Sequence, residues 1–296
     1  MRTTSYRYFV LFFLFLVQCT GNEDRNYPRR AEVLFMGAAD GEGPSSRYAS
    51  WLAITLFKSG VNLTYTSTPD RWDARELRQF DGVIAWAGSD LSAGTQQALS
   101  GFAEDGKGVV IFGGRHAAHS NMAWFAALID GRPASGNASV ALPDSSLQVL
   151  RGKGRIWYTP DGGTDPNWKD LRFLQTMADG VRWALGEQVM NLVAQLQIPN
   201  VSIYEDTIAD FTARHLVPKM QDPLSPDESA KLIQVPVGFE LKLFAAEPNI
   251  VNPIAMTWDE KGRLWVIETV DYPNNFVELK GEANDRIKIC EDTDGD

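Results

Sequence analysis

Cysteine is almost absent from this chain. Its 296 residues hold two, Cys19 and Cys290. A disulfide framework is therefore excluded if either is used elsewhere. Histidine is nearly as scarce, with three, and two of them, His116 and His119, lie side by side in one segment. Basic charge is in deficit, at 28 Lys and Arg against 38 Asp and Glu. A net charge of −10 argues against a nucleic-acid partner, because phosphate binding needs a basic face. The deficit concentrates in residues 227–296, with 15 acidic against 7 basic side chains. Such a segment stays solvated or binds cations. Long apolar runs are missing too. The N-terminal run Phe9–Val17 has nine residues, well short of the roughly 20 needed to span a bilayer.

That short run has a different meaning. Arg2 and Arg7 precede it, which is the layout of a signal peptide. Leu16-Val17-Gln18-Cys19 resembles a bacterial lipoprotein box, with Cys19 as the acylated first mature residue. Gln18 stands where that box usually has a small residue. An uncleaved anchor or an ordinary signal is the alternative. The expectation is an exported protein, lipid-anchored in the membrane and facing the periplasm or cell exterior. Residues 20–30 form a polar tether, and Cys290 is left without an intrachain partner.

From residue 31 to 187 apolar runs alternate with helical patterns. Ala31–Met36, Val61–Thr66, Asp81–Trp86, Val109–Phe112 and Ile156–Thr159 read as strands, most ending at glycine or a loop. Residues 45–59, 72–80, 92–105 and 121–129 read as helices. Another carries Leu171, Leu174, Met177, Val181 and Leu185 at three- and four-residue steps and closes at Gly186. Residues 130–146 read as loop. The fold class is α/β, a flavodoxin-like parallel sheet with helices on both faces. In such sheets ligands sit at the carboxyl ends of the strands. Gly113, Gly114, Arg115, His116 and Asp161 therefore become ligand-binding candidates.

Several stretches resemble the ThuA-like (trehalose-utilisation-like) domain. They are Val33-Leu34-Phe35, Gln79 to Ile84, Phe102 to Gly114, Gly152-Lys153-Gly154-Arg155-Ile156-Trp157-Tyr158-Thr159, and Val181-Arg182-Trp183-Ala184. The resemblance implies a relative of class I glutamine amidotransferases, associated with carbohydrate. The chain departs from that family in two places. The histidine-bearing insertion before the Gly-Lys-Gly-Arg strand is short, and Asp161-Gly162-Gly163-Thr164 stands where the family has Gly-His-Asp. Residues 31–187 hold no cysteine, so an amidotransferase nucleophile is excluded.

Residues 188–231 read as a linker with possible helices. From 232 to 296 short strands follow: Glu240–Ala245, Pro253–Trp258, Leu264–Glu268 and Arg286–Ile289. This segment is similar to the start of a membrane-bound dehydrogenase-type (glucose/sorbosone dehydrogenase-like) β-propeller, through Asn252-Pro253-Ile254-Ala255-Met256, Gly262 to Glu268 and Asp271-Tyr272-Pro273. It reads as a short, all-β incomplete propeller, because four blades of four strands need more chain. The resemblance implies a quinone or haem cofactor only in a part lying beyond Asp296, with this fragment inactive by itself.

Asp292, Asp294 and Asp296 have the alternate spacing of a calcium loop whose final acid is missing. A solvated acidic tip is the plainer alternative. His116 and His119 are spaced for a shared metal on a loop or helix turn, but no third ligand is evident beyond Asp161 approaching from the neighbouring strand end, and surface or packing histidines are the plainer alternative. Trp51, Trp72, Trp86 and Trp124 offer sugar-stacking surfaces or core packing. Two functions remain in view. One is the N-terminal fragment of an exported propeller-type sugar dehydrogenase carrying a carbohydrate-associated domain. The other is a non-catalytic cell-surface module for a glycan or a protein.

Overall fold

The computed structural model describes residues 25–38, 44–116, 119–130, 145–200, 224–239, 241–271, 284–291 and 293, with backbone only at residues 116, 119–122 and 130. They fall into two compact units. One lies within Met1–Gln221 and Gln234–Phe239, the other within Asp222–Ile233 and Glu240–Asp296.

The first unit is built on a six-stranded sheet. In chain order it has β1 (Ala31–Met36), α1 (Ser45–Phe57), β2 (Val61–Thr66), α2 (Ala74–Leu77), β3 (Gly82–Trp86), α3 (Ala93–Glu104), β4 (Gly108–Phe112), α4 (His119–Asp130), β5 (Leu147–Arg151), β6 (Gly154–Thr159), α5 (Asp165–Trp168) and α6 (Leu171–Gln195). The strand order is β2-β1-β3-β4-β6-β5. All neighbours run parallel except β5, which is antiparallel to β6. Strands β1, β3 and β4 are buried along their whole length, as expected of central parallel strands covered on both faces. On one face Val33, Phe35 and Val110 meet Tyr48, Leu52 and Leu56 of α1 and Met177 and Val181 of α6. On the other, Leu34, Met36 and Ile111 meet Leu99 and Phe102 of α3 and Phe125 of α4.

Helices α3 and α6 start at capping side chains, whereas α1 and α5 have no side-chain cap. The Thr95 N–H donates to Ser92 Oγ at 3.3 Å, and the Arg172 N–H donates to Asp170 Oδ1 at 2.9 Å. One feature differs from the sequence reading. Strand β5 was not expected. It is the sheet's edge, and its burial merely alternates between partial and exposed, so pairing with β6 rather than its own composition makes it a strand. The helix stop expected at Gly186 is present: within α6 two helical stretches meet at a kink there, with Gly186 at the non-helical φ 77° and ψ 167°. The second stretch packs on the first unit, where a Cβ on Gly60 would overlap Val193 and Ile198.

The Gly-Lys-Gly-Arg turn between β5 and β6 now has a physical account. Gly152 sits at φ 56° against the backbone of Glu104. A Cβ on Gly154 would overlap the carbonyl oxygens of Ala103 and Lys107. Backbone cannot step aside as a side chain can. Gly154→Ala is therefore expected to destabilise by about 1–3 kcal/mol or more, read as a lower thermal midpoint. A midpoint within error of the wild type would refute this close approach.

The second unit holds α7 (Pro226–Ala230) and an antiparallel sheet of β7 (Pro253–Trp258), β8 (Leu264–Glu268) and β9 (Arg286–Cys290), in that order. Asp259 organises the β7–β8 turn. Its Oδ1 accepts from the N–H groups of Lys261 and Arg263, both at 2.9 Å, and its Oδ2 accepts from Trp265 Nε1 at 3.1 Å. These bonds hold its carboxyl far below the usual range. Of the strand the sequence suggested at 240–245, residues 241–245 are described and form none. Among the described residues this unit forms one three-stranded antiparallel sheet and no propeller. Glu268, fully buried, accepts from Val251 N–H at 2.7 Å, Arg286 Nε at 2.6 Å and Lys288 Nζ at 3.0 Å, and so ties the strand ends together. Among the described residues no helix is long and apolar enough to cross a membrane.

Candidate functional site

From β1 the chain moves to β2 on one side and then crosses to β3 on the other. The topological switch point thus lies between the carboxyl ends of β1 and β3. Trp86, the last residue of β3, fills this point. It is 7 % exposed, and a Cβ on Gly113 or Gly88 would press on its ring at 2.9 and 2.7 Å. The glycines after the strands are therefore partners of this indole as much as turn residues. Trp86 Nε1 is buried with no hydrogen-bond partner among the described residues.

Next to this plug the β4 and β6 loops join through their backbones. Gly113 N–H donates to the Asp161 carbonyl at 2.7 Å, and Arg115 N–H donates to that of Pro160 at 3.1 Å. Gly113 takes φ 77°, a region glycine enters freely. A Cβ on Gly114 would overlap the Tyr158 ring and hydroxyl. The joined loops carry an ion pair, Arg115 Nε donating to Asp161 Oδ1 at 3.2 Å, with both side chains 49 % exposed. An exposed pair stabilises by about 0–1 kcal/mol. Its presence is better explained by what it presents to solvent than by stability.

The β6 loop is anchored from below. Trp168, 1 % exposed, donates from Nε1 to the Gly162 carbonyl at 2.7 Å. Its ring stacks on Tyr48 at 4.7 Å and 9° and meets Phe112 and Phe173 edge-on, each at 5.2 Å. Arg47 and Asp165 pair at 3.1 Å beside it. Burial, with the nearby Asp165 carboxylate, pushes the Tyr48 phenol up to about 12, so it stays protonated at any ordinary pH.

Of the residues the sequence singled out, Gly113, Gly114, Arg115 and Asp161 come together here. His116 shares their turn by its backbone, and His119 opens α4; their side chains are outside the description. Cys19 and the acidic triad Asp292, Asp294 and Asp296 lie outside the described residues. Among the described residues no group of three His, Cys, Asp or Glu side chains is placed to hold a metal ion. Trp168, Tyr48 and Asp165 escaped sequence reasoning. The run Asp165-Pro166-Asn167-Trp168 after a glycine pair was the available signal. What the described groups supply at this edge is hydrogen bonding and charge on an aromatic base.

The family described as a domain of unknown function (DUF7133) matches residues 225–296, within which the three-stranded sheet lies. No curated protein matches the chain. Among solved structures the chain is similar to a protein described as ThuA-like from Bacteroides uniformis, at 15% identity over 34% of this chain and 43% of that one, with a TM-score of 0.28. It is similar to a cytoplasmic protein of Salmonella typhimurium at 13% identity, over 55% of this chain and 99% of that one, TM-score 0.36. A third is the sugar isomerase domain of an RpiR transcription factor from Sphaerobacter thermophilus, at 16% identity over 57% of this chain and 79% of that one, TM-score 0.26. The chain spans less than half of the Bacteroides protein.

Proposed function

We propose that the α/β unit is a non-catalytic recognition module that binds hydroxylated ligands, a glycan among them, at the carboxyl edge of its sheet. The observation that carries this reading is the half-exposed Arg115–Asp161 pair on two backbone-joined loops. A preset donor next to a preset acceptor suits adjacent sugar hydroxyls, each of which both gives and accepts hydrogen bonds. The rigid base under the loops keeps the ordering cost of binding low.

A second reading concerns the other unit, as the opening of a propeller of the sugar-dehydrogenase type. One observation favours it: the three-stranded sheet carries large apolar side chains on both faces, although Glu268, Lys288 and Arg286 share one of them. Met256 and Trp258 project with Leu264, Val266 and Cys290, and the opposite face carries Trp265, Ile267, Ile287 and Ile289. Met256, Trp258, Ile267, Ile287 and Ile289 are 43–73 % exposed. Sheets that face water normally alternate apolar with polar residues, so this one is built to be covered twice, as a propeller blade is. On this reading the chain is exported and anchored through Cys19, and the redox chemistry belongs to further blades.

Both readings are tested on the full chain with a glycan array, isothermal titration of the hits, and a dye-linked sugar oxidation assay. The expected result is glycan binding without turnover, weakened roughly tenfold or more by Arg115→Ala, which removes a charged hydrogen bond. No binding to any glycan would sink the module. Sugar oxidation by this chain alone would overturn the claim that catalysis lies elsewhere.

A further inference from the structure

The Arg115–Asp161 pair shares its loop with a second one. The chain leaving β6 runs Asp161-Gly162-Gly163-Thr164-Asp165 into α5, and an arginine from a different element meets each end. Arg115, after β4, pairs with Asp161 at 3.2 Å, and Arg47, on α1, pairs with Asp165 at 3.1 Å. The end of β4 lies against the middle of the loop. A Cβ on Gly162 would meet the Phe112 ring at 3.0 Å, and one on Gly113 would come within 3.5 Å of Gly163. The loop therefore crosses β4 with one pair at each of its ends and no side chain on the two glycines between them. Four residues span at most about 14 Å, so one ligand of moderate length reaches both pairs.

Neither pair is needed to hold the loop. The backbone bonds of Gly113 and Arg115 and the Trp168 Nε1 bond fix it, and the Asn167 N–H closes its last turn on the Thr164 carbonyl at 3.2 Å. Exposed ion pairs add little stability. The Arg47 side chain is 60 % exposed, and it meets Asp165 through Nη2 alone, at 3.1 and 3.3 Å. A guanidinium has five N–H donors, so Nε and Nη1 remain for a ligand. At the other end the half-exposed Asp161 carboxylate accepts from Arg115 Nε, and a carboxylate has about four lone-pair sites. Each pair cancels its own charge. The loop thus suits a neutral ligand that carries hydroxyls at two separated points, and neither a cation nor an anion gains a net opposite charge there.

We infer that the edge takes a neutral oligosaccharide and reads two of its rings, the Arg115–Asp161 pair holding one and Arg47 donating to the next. Arg47 is the residue that sets the preference for a chain over a single ring. The inference rests on the proposed reading of the edge as a hydroxyl-binding site, and adds to it the length of the ligand and a second point of contact.

Isothermal titration of the full chain tests it, with maltotriose, cellotriose and mannotriose as chains and glucose and mannose as single rings. The expected result is a trisaccharide that binds roughly tenfold or more tighter than its own monosaccharide, because the second ring adds a charged hydrogen bond. Arg47→Ala should remove most of that preference and leave monosaccharide affinity within about twofold, as separate contacts do. Equal affinity for chains and single rings, or a preference that survives Arg47→Ala, would overturn the inference. An equal loss for chains and single rings would assign Arg47 to holding the loop and overturn its contact with the ligand. Arg115→Ala keeps the two claims apart. If it weakens every sugar while Arg47→Ala weakens none, the edge reading stands and the two-ring reading is wrong. If no sugar of either length binds, the edge reading itself fails and this inference falls with it.

Discussion

Asp81→Ala is expected to remove about 3–5 kcal/mol of stability, the usual result of breaking a buried ion pair by deleting one partner. Asp81 is 2 % exposed and holds Arg29, 11 % exposed, through two bonds of 2.7 and 2.8 Å. Its Oδ2 also accepts the Glu32 N–H at 2.9 Å. Its own N–H reaches the Glu32 carbonyl at 2.8 Å, and its carbonyl accepts from Gly108 N–H at 3.2 Å. One residue thus ties the starts of β1, β3 and β4. A typical domain has a total stability of about 5–15 kcal/mol, so the variant sits near unfolding, and urea titration measures the loss. Adding Arg29→Met should recover part of it, because the stranded guanidinium goes as well. The pH dependence has a definite sign. Burial pushes the Asp81 carboxyl up, but Arg29 and the Glu32 N–H outweigh burial, and its net value falls below the ordinary one. Its contribution is present above the unfolded-state value, about 3.9, and is lost as pH falls through the folded-state value. The gap between wild type and Asp81→Ala should therefore narrow in acid. A loss under about 1 kcal/mol at neutral pH would show that the pair is not the clamp its burial implies.

The clamp illustrates what the sequence makes legible. Strands β1, β3 and β4 are continuous apolar runs between turn residues, and the sheet's direction follows from the helices between them. The candidate edge was readable for the same reason: Gly113, Gly114 and Asp161 directly follow buried strands. Elements that depend on a neighbour were not readable. Strand β5 exists through its register with β6, from Leu147 opposite Tyr158 to Arg151 opposite Gly154. The expected strand near 240–245 has a similar alternating pattern, yet residues 241–246 form no strand. Gly186 reads as a helix stop because glycine favours φ > 0, and it takes that φ at a kink; the helical stretch that follows is less legible, since its place depends on Val193 packing at Gly60. The Asp81–Arg29 pair and the Tyr48–Trp168 stack join residues 52 and 120 positions apart, and such contacts leave no local pattern.

That stack supports the other large effect. Trp168→Ala is expected to cost about 3–5 kcal/mol, the range for deleting a fully buried large aromatic. The loss has several physical parts. The indole is enclosed by Tyr48, Phe112 and Phe173, so a cavity opens at the core's upper rim. The Gly162 carbonyl loses its donor, and Tyr48 loses its stacking partner. Trp168→Phe separates these parts, since it keeps a ring for Tyr48 and gives up the N–H and some volume. It should lose less stability than the alanine variant yet still loosen the β6 loop. Gly162 sits at φ 95°, so the loop is held in an uncommon conformation and depends on its anchor. Asp161 is the adjacent residue, and the spacing of the Arg115–Asp161 pair depends on where that loop rests. Near-UV circular dichroism should therefore change in both variants, and glycan affinity should fall in Trp168→Phe although no ligand touches this indole. If Trp168→Phe binds as the wild type does while Arg115→Ala does not, the loop is positioned by its own backbone bonds to Gly113 and Arg115, and the aromatic base contributes stability alone.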